Sequence, residues 1–103
     1  MKVVIVNKME QNFTAAEKYG ELFPLSIGKV NLSNISKLQF NLLPKLKELK
    51  EDDLFILSGP TILSMIVANY YFTKFPKMNV LSLCKAHGEY YYKVQVINRI
   101  IET

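Results

Sequence analysis

The sequence contains only one cysteine, Cys84, and only one histidine, His87. A single cysteine cannot form a disulfide within the chain, which is typical of a reducing compartment, so we expect a cytoplasmic protein. One cysteine and one histidine are also too few for a zinc site, and we expect no metal or other cofactor. Cys84 lies in an apolar strand pattern, which favours a small buried side chain.

The common phosphate-binding and nucleophile motifs are also absent. The chain contains neither GxGxxG nor GxxxxGK[ST], and no GxSxG. These absences exclude a dinucleotide-binding fingerprint, a P-loop and the nucleophile turn that GxSxG marks.

Long apolar runs and dense positive charge are lacking as well. The apolar segment from Ile62 to Phe72 is too short to span a bilayer and contains Asn69. The run from Met1 to Asn7 is too short for a signal peptide. The net charge of +4 suits an anionic ligand but does not form the basic stripe of a duplex-DNA binder. We therefore expect neither a membrane nor duplex DNA as a partner.

The most informative stretch runs from Leu54 to Phe75. Its first four residues are apolar and follow a charged run, which predicts a strand buried on both faces. The next residues, Ser58, Gly59 and Pro60, break this run. Proline suits the first position of a helix, with Ser58 or Gly59 as its N-cap. The helix is predicted to end at Phe75, because a proline follows.

Strand and helix patterns alternate along the rest of the chain. The predicted elements are a strand at Val3 to Val6, a helix from a capping box at Thr14 to Gly20, a strand between Leu25 and Leu32, a helix from the capping box Ser36–Gln39 through Leu49, a strand at Met78 to Cys84, a turn at Lys85 to Glu89 and a strand at Tyr90 to Ile97. Pro44 either kinks its helix or begins a second one. The charged run at 51–53 is expected to be a solvated turn.

This alternation predicts a single doubly wound, Rossmann-like α/β domain over residues 1–103. Right-handed crossovers favour a mostly parallel five-stranded sheet of order 2-1-3-4-5, and the final hairpin makes the last strand antiparallel. The loops after the first and third strands then lie side by side at the carboxyl end of the sheet, where ligands of such folds bind.

Small polar and basic residues follow several of the predicted strands. They are Asn7 and Lys8 after the first strand, Ser58, Gly59 and Thr61 after the third, and Lys85 and His87 in the final hairpin. Each has an ordinary structural alternative as a turn residue, a helix cap or an exposed loop side chain. Their placement at the carboxyl ends of neighbouring strands, beside a helix N-terminus, predicts an anion site.

The segment from Leu57 to Met65 resembles the Thr-Gly-Gly-Thr-Lys strand-to-helix signature of CRISPR-associated Rossmann-fold (CARF) domains. The short chain and its ending Tyr-Lys-Val-Gln-Val-Ile-Asn are similar to the small single-domain members found beside type III CRISPR loci. Pro60 and Ile62 stand where the signature has its second glycine and its lysine. Lys8 or Lys85 would therefore have to supply the positive charge for a phosphate.

The resemblance implies a homodimer that binds a cyclic oligoadenylate messenger of antiviral defence, with cyclic tetra-adenylate as the expected ring. It further implies a metal-independent ring nuclease, because the 2′-OH of the ligand can act as the nucleophile. Asn7, Lys8, Ser58, Gly59 and Thr61 would then bind the ligand.

The catalytic residues of such a ring nuclease would be His87 and Lys85. Histidine is the residue type that moves protons near neutral pH, and the lysine would stabilise the charge that develops on the phosphorus centre. The apolar residues Tyr70, Tyr71 and Phe72 of the third helix also favour a dimer. Two alternatives stay open: a non-catalytic binder that sequesters the messenger, and a small α/β interaction module without a nucleotide site.

Overall fold

A computed structural model describes residues 1–102 of the chain. Within those residues the elements are β1 (Lys2–Ile5), a 3₁₀-helix (Thr14–Tyr19), β2 (Glu21–Pro24), α1 (Ile35–Leu46), β3 (Leu54–Ile56), α2 (Thr61–Lys74), β4 (Lys77–Ala86) and β5 (Glu89–Asn98). The sheet order is β2-β1-β3-β4-β5, and only the β4–β5 pair is antiparallel. The predicted α/β fold and its strand order are confirmed. Among the described residues, no helix has both the length and the apolar character to cross a membrane.

The two faces of the sheet are covered unequally. Alternate residues of β1 point to opposite faces: Val4 packs with the apolar side chains of α1 and α2, whereas Val3 and Ile5 pack beneath the 3₁₀-helix. The larger cluster therefore lies between the sheet and the two α-helices. The opposite face is covered by the 3₁₀-helix and its flanking Phe13, which leaves the far ends of β4 and β5 outside either core.

The prediction for the second strand was wrong in its position. Expected between Leu25 and Leu32, β2 instead occupies Glu21–Pro24 and pairs with β1 in parallel. Pro24 is tolerated because β2 is the edge strand, where a missing N–H leaves no ladder bond unmade. Beyond a bend, a single bridge between Lys8 and Ile27 continues the pairing.

The helix predicted from Thr14 is a short 3₁₀-helix and has no capping box. Thr14 is its first helical residue, and the cap position Phe13 offers no side-chain bond to the backbone. The side chain of Asn12 instead accepts from the backbone and hydroxyl of Thr14. Gly20 ends the helix as predicted, and its backbone packs so closely on Met1 that a Cβ would lie 2.8 Å from the Met1 carbonyl oxygen.

The first residues of both α-helices differ from the predicted ones, since α1 begins two residues earlier and α2 one residue later. Asn34 caps α1, with its Oδ1 accepting from the backbone N–H of Lys37 at 3.1 Å, so the predicted Ser36–Gln39 capping box does not form. Pro44 lies in the last turn of a single helix and does not begin another. Pro60 is the N-cap of α2 rather than its first residue, and no side chain caps that end.

Asp53 does not belong to a solvated turn, although Glu51 and Asp52 do. Its side chain is 1% exposed and accepts from the backbone N–H groups of Lys2 at 3.0 Å and Lys50 at 2.7 Å. The Lys2 ammonium lies 3.4 Å from the same carboxylate. A buried carboxylate needs such partners, and here they join the start of β1 to the start of β3.

Part of the apolar surface of α2, which is predicted to favour a dimer, is buried within the chain itself. Tyr71 is fully buried within the chain and donates its hydroxyl to the Lys50 carbonyl at 2.6 Å. Burial raises the pKa of the Tyr71 hydroxyl far above its usual range, and the nearby carboxylate of Asp53 raises it further. Tyr70 and Phe72 are half-buried and pack against the same core. Cys84, expected to be buried, is half-exposed because β4 extends past that core.

We expect Asp53→Ala to lower the free energy of unfolding by about 3 kcal/mol, because two backbone N–H groups lose the charged acceptor that the buried Asp53 provides. Urea denaturation followed by circular dichroism measures the change. Asp52→Ala is the matched control, since Asp52 is exposed, and its effect should stay within about 0.5 kcal/mol. Equal losses in the two variants would contradict this role for Asp53.

Candidate functional site

The loops after β1 and β3 are joined by a reciprocal pair of hydrogen bonds. The Ser58 hydroxyl donates to the Asn7 carbonyl at 2.7 Å and accepts from the Asn7 backbone N–H at 3.2 Å. This side chain therefore continues the β1–β3 pairing beyond the last ladder residue, Ile56. The Ser58 hydroxyl thus uses its donor and one acceptor position within the protein. Its role here is structural, because its hydrogen cannot also be donated to a ligand.

The side chain of Asn7 ties in a third loop, the one that follows β2. Its Nδ2 donates to the Gly28 carbonyl at 3.2 Å, while the Lys8 backbone bonds Ser26 and Gly28 at 2.9 and 2.8 Å. The ends of β1, β2 and β3 thus form one connected platform at the carboxyl end of the sheet. Such an edge is where open parallel sheets bind ligands.

Gly59 is required by direct packing on Asn7. Its φ of 83° lies in the left-handed region, and a Cβ added there would come 2.4 Å from the Cβ of Asn7. Only glycine avoids both the strained conformation and this overlap. The turn before α2 is therefore held against the end of β1, which fixes where the N-terminus of α2 points.

One polar atom of this platform has no protein partner. Asn7 is 1% exposed, and its Oδ1 is buried without a hydrogen bond among the described residues. A buried acceptor left unpaired costs about 1–3 kcal/mol, so such atoms concentrate at strained or functional positions. The Asn7 side chain packs on the Gly59 turn, which leads into α2, a 14-residue helix.

The N-terminus of α2 presents unpaired backbone donors. Within residues 1–102, the backbone N–H groups of Thr61 and Ile62 donate to no protein acceptor, whereas Leu63 bonds back to Pro60. The Thr61 side chain is exposed. Free N–H groups and the positive end of the helix dipole together favour an anion at this position.

Two clefts flank the platform and differ in character. A polar cleft of about 350 Å³ lies between the β2–α1 loop and α1, and it is lined by Lys29, Val30, Asn31, Asn34, Lys37, Leu38 and Asn41. An apolar groove of about 390 Å³ opens on the other face of the sheet, lined by Phe13, Ile56, Leu57, Val80, Leu81, Ser82, Leu83 and Tyr92. Charge is thus concentrated on one side of the platform and apolar surface on the other.

The final hairpin projects beyond the rest of the sheet. β3 pairs with β4 only at Asn79 and Val80, yet β4 continues to Ala86. His87 lies seven residues beyond Val80, a distance of about 23 Å along a strand. The predicted five-residue turn is in fact the two residues His87 and Gly88, with φ values of 52° and 79°, as in a type I′ turn.

The predicted site residues therefore fall into two groups. Asn7, Lys8, Ser58, Gly59 and Thr61 belong to the platform or its border. Lys85 and His87 belong to the projecting hairpin, where Lys85 lies within β4 and holds its ammonium 5.3 Å from the centre of the Tyr90 ring. No hydrogen bond or ion pair among the described residues joins the two groups.

No sequence pattern predicts the polar cleft, and none of its lysines and asparagines is among the predicted site residues. The density of these residue types between Lys29 and Asn41 was the available signal. The signal is weak because cap positions are themselves rich in asparagine.

Comparisons with known protein families, with curated proteins and with solved structures found no match to this chain. The function is therefore argued from the geometry of the platform, its clefts and the hairpin.

We expect Gly59→Ala to destabilise the protein more than Gly88→Ala, although the two glycines share nearly the same φ. A Cβ at Gly88 meets nothing within 4 Å, so that variant bears only the left-handed strain of about 1 kcal/mol. Gly59→Ala adds an overlap with Asn7, which costs about 1–3 kcal/mol more. Thermal and urea unfolding measure both variants.

The overlap is confirmed as the cause if Gly59→Ala becomes less costly in an Asn7→Gly background, where the opposing Cβ is gone. Equal unfolding free energies for Gly59→Ala and Gly88→Ala would show that the Gly59 turn relaxes away from Asn7.

Proposed function

We propose that this chain binds a cyclic oligoadenylate, with cyclic tetra-adenylate as the first ligand to test, at the carboxyl end of its sheet. The observation that most supports the proposal is the N-terminus of α2, where, within the described residues, the first two backbone N–H groups are free and the preceding Gly59 turn packs on the buried Asn7. Free backbone donors at a helix N-terminus suit the phosphates of such a ligand.

The charges around the platform fit the phosphates of such a ring. Lys8 is half-buried at the end of β1, and Lys29 and Lys37 line the polar cleft beside it. Glu10 is the acidic residue of the β1 loop, and it is exposed. Lysine binds phosphate as a point charge, so these three lysines can share more than one phosphate of a ring.

The apolar groove fits the bases. Phe13 and Tyr92 are among its lining residues, and the groove opens next to Leu57, immediately before Ser58. Bases stack on aromatic side chains with about 1–3 kcal/mol per base. A ring lying across the platform would thus place phosphates toward the lysines and a base toward the groove.

The reaction that this arrangement could promote needs no metal. The 2′-oxygen of one ribose attacks the adjacent phosphorus, the bond to the 5′-oxygen breaks, and a 2′,3′-cyclic phosphate and a 5′-hydroxyl remain. One proton leaves the 2′-hydroxyl and one reaches the departing 5′-oxygen. The protein must hold the three atoms in line and stabilise the extra negative charge, which backbone N–H groups and lysines can do.

The symmetry of the cyclic ligand favours two copies of the chain bound to one ring. Cyclic tetra-adenylate has internal symmetry, and a two-fold pair of platforms would contact equivalent phosphates on its two sides. Such a complex contains one ring for every two chains. The stoichiometry of binding therefore tests the shared ligand directly.

A second candidate, a binder that sequesters the messenger without cleaving it, is favoured by the hairpin. Lys85 and His87 are carried away from Asn7 along the projecting part of β4. Cleavage by these residues requires the hairpin of one copy to reach a ligand on the platform of another, or to bend toward its own. Binding alone requires neither.

We expect Lys8→Ala with Lys29→Ala to weaken binding of cyclic tetra-adenylate by about tenfold or more, since each charge-assisted hydrogen bond contributes about 1.5–3 kcal/mol. Isothermal titration calorimetry gives the affinity and the stoichiometry. The matched control is Lys47→Ala with Lys77→Ala, which removes the same charge at the opposite end of the sheet. Equal weakening in the two double variants would move the site away from the platform.

Turnover separates the remaining alternatives. Radiolabelled cyclic tetra-adenylate is incubated with the protein in the presence of a chelator, and products are separated on a gel. Conversion to linear products supports the ring nuclease, and binding without conversion supports the sequestering protein. Absence of both leaves the α/β interaction module and overturns the proposal.

If the protein cleaves, His87→Asn should reduce the rate by roughly 10²-fold or more, the usual contribution of a general acid or base. Asparagine tolerates the left-handed conformation of His87, so the turn is kept while the proton-transfer group is lost. Lys85→Ala should also slow cleavage, whereas Lys93→Ala on the same hairpin should not. Wild-type rates in His87→Asn would leave positioning by the platform as the source of catalysis.

A further inference from the structure

The outer edge of β5 is open along its whole length. β5 pairs with β4 at every position from Glu89 to Asn98, and within the described residues no strand pairs with its other edge. Proteins usually shorten such edges or interrupt them with proline, bulges or several charges. β5 is ten residues long, pairs without a bulge and contains no proline. Its main-chain donors and acceptors are therefore available to another strand.

Exposed apolar side chains lie on both faces of this edge, although one face also carries Glu89, Lys93 and Gln95. Val94 and Val96 are 46% and 48% exposed on one face, and Tyr91 and Ile97 are 47% and 44% exposed on the other. A free edge with exposed apolar side chains above and below is a surface for pairing with a further strand.

We propose that two copies of this chain pair through β5, antiparallel, with Val94 on the two-fold axis. In this register, residues whose numbers sum to 188 lie opposite one another. Tyr92 then meets Val96 of the second copy, and Tyr91 meets Ile97 of the second copy. These are aromatic and branched cross-strand pairs of the kind that stabilise antiparallel sheets. The result is a continuous sheet of ten strands.

Charge complementarity supports the second copy as the occupant. The same register places Glu89 opposite Arg99 of the second copy, once at each end of the interface. Arg99 continues the line of β5, because its backbone N–H donates to the Pro76 carbonyl at 2.8 Å, in register with the β4–β5 ladder. The guanidinium uses Nη1 to donate to Phe72 and keeps further donors for a carboxylate.

Two neighbouring registers would also keep the two sheets continuous, but their cross-strand side-chain pairs are less favourable. A two-fold axis at Lys93 would bring the two Lys93 ammonium groups directly opposite one another. An axis at Gln95 would place Lys93 opposite Ile97 and leave Glu89 without a partner in the strand. The axis at Val94 instead pairs Lys93 with Gln95 and sets no like charges opposite each other.

This pairing is independent of the cyclic oligoadenylate proposal. The two-fold axis through Val94 runs perpendicular to the sheet, so the carboxyl ends of the two copies point in opposite directions. Both platforms stay open. A ligand shared between two platforms would then join two β5-paired dimers, and the ligand-free protein would already be a dimer.

The test uses the full chain without ligand, in a Cys84→Ala background that removes the native thiol. Light scattering should give the mass of two copies. Val94→Cys should form a disulfide-linked dimer on mild oxidation, because residues directly opposite on an antiparallel pair bring their Cβ atoms to about 4.5–5.5 Å.

Lys93→Cys and Gln95→Cys provide the register control. Each should stay largely unlinked alone, whereas a mixture of the two should form the cross-linked dimer, since position 93 faces position 95 of the second copy. A monomer, or a dimer that Val94→Cys does not cross-link, would overturn the proposal. A monomer would leave the open edge of β5 available to a strand of a different protein.

A charge exchange tests the same register without cysteine. Glu89→Arg places like charges opposite each other at both ends and should weaken the dimer by roughly tenfold. Adding Arg99→Glu restores opposite charges and should recover the affinity, measured by sedimentation equilibrium. Circular dichroism checks that each variant is folded. Failure of the second substitution to recover the dimer, in a folded protein, would reject the pairing.

Discussion

The two hydrogen bonds exchanged between Asn7 and Ser58 hold the loops at the carboxyl edge of the sheet together. The strand ladder between β1 and β3 ends at Ile56, and these bonds carry the pairing one step further into the loops. They set the position of Gly59, which in turn aims the N-terminus of α2. The Asn7 side chain adds the β2 loop through Gly28. Three loops that could move separately are thereby converted into one platform with fixed donors.

The same bonds explain why a buried acceptor remains unpaired. The Asn7 backbone and Nδ2 bond neighbouring loops, which fixes this side chain with its Oδ1 buried and without a donor among the described residues. The cost of that unpaired acceptor is therefore retained at the carboxyl end of the sheet.

Chain topology accounts for the exposed hairpin. With the order 2-1-3-4-5, the connections through α1 and α2 cover one face, and only the 3₁₀-helix covers the other. The last connection is a two-residue turn, so no helix returns over β4 and β5. Met78, Val80 and Leu81 of β4 are buried in the two cores, but most apolar residues of β5 are left exposed, which links the order of the strands to the open edge of β5.

The fold could largely be read from local patterns, but particular residues could not. Continuous apolar runs marked β1 and β3, and the glycine-containing turn marked the β4–β5 hairpin. The position of β2 was predicted wrongly because its residues also suit a loop. Pairing with the neighbouring strand β1 decides which four residues form β2. The burial of Asp53 was not predicted because a run of three acidic residues is typical of a solvent-exposed turn. Its hydrogen-bond partner, the backbone N–H of Lys2, lies 51 residues away in the chain.

The sequence by itself determined the alternation of strands and helices, the strand order and the group of small polar residues after β1 and β3. These follow from periodicity, turn chemistry and crossover handedness, which act over short stretches. Tertiary structure alone decided that Ser58 is a structural link, that Asn7 is buried with an unpaired oxygen, and that His87 is distant from both. Asn7 and Ser58 are 51 residues apart in the chain, so their contact depends on the register between β1 and β3. The burial and hydrogen bonding of these residues depend on that register, so no local sequence pattern predicts them.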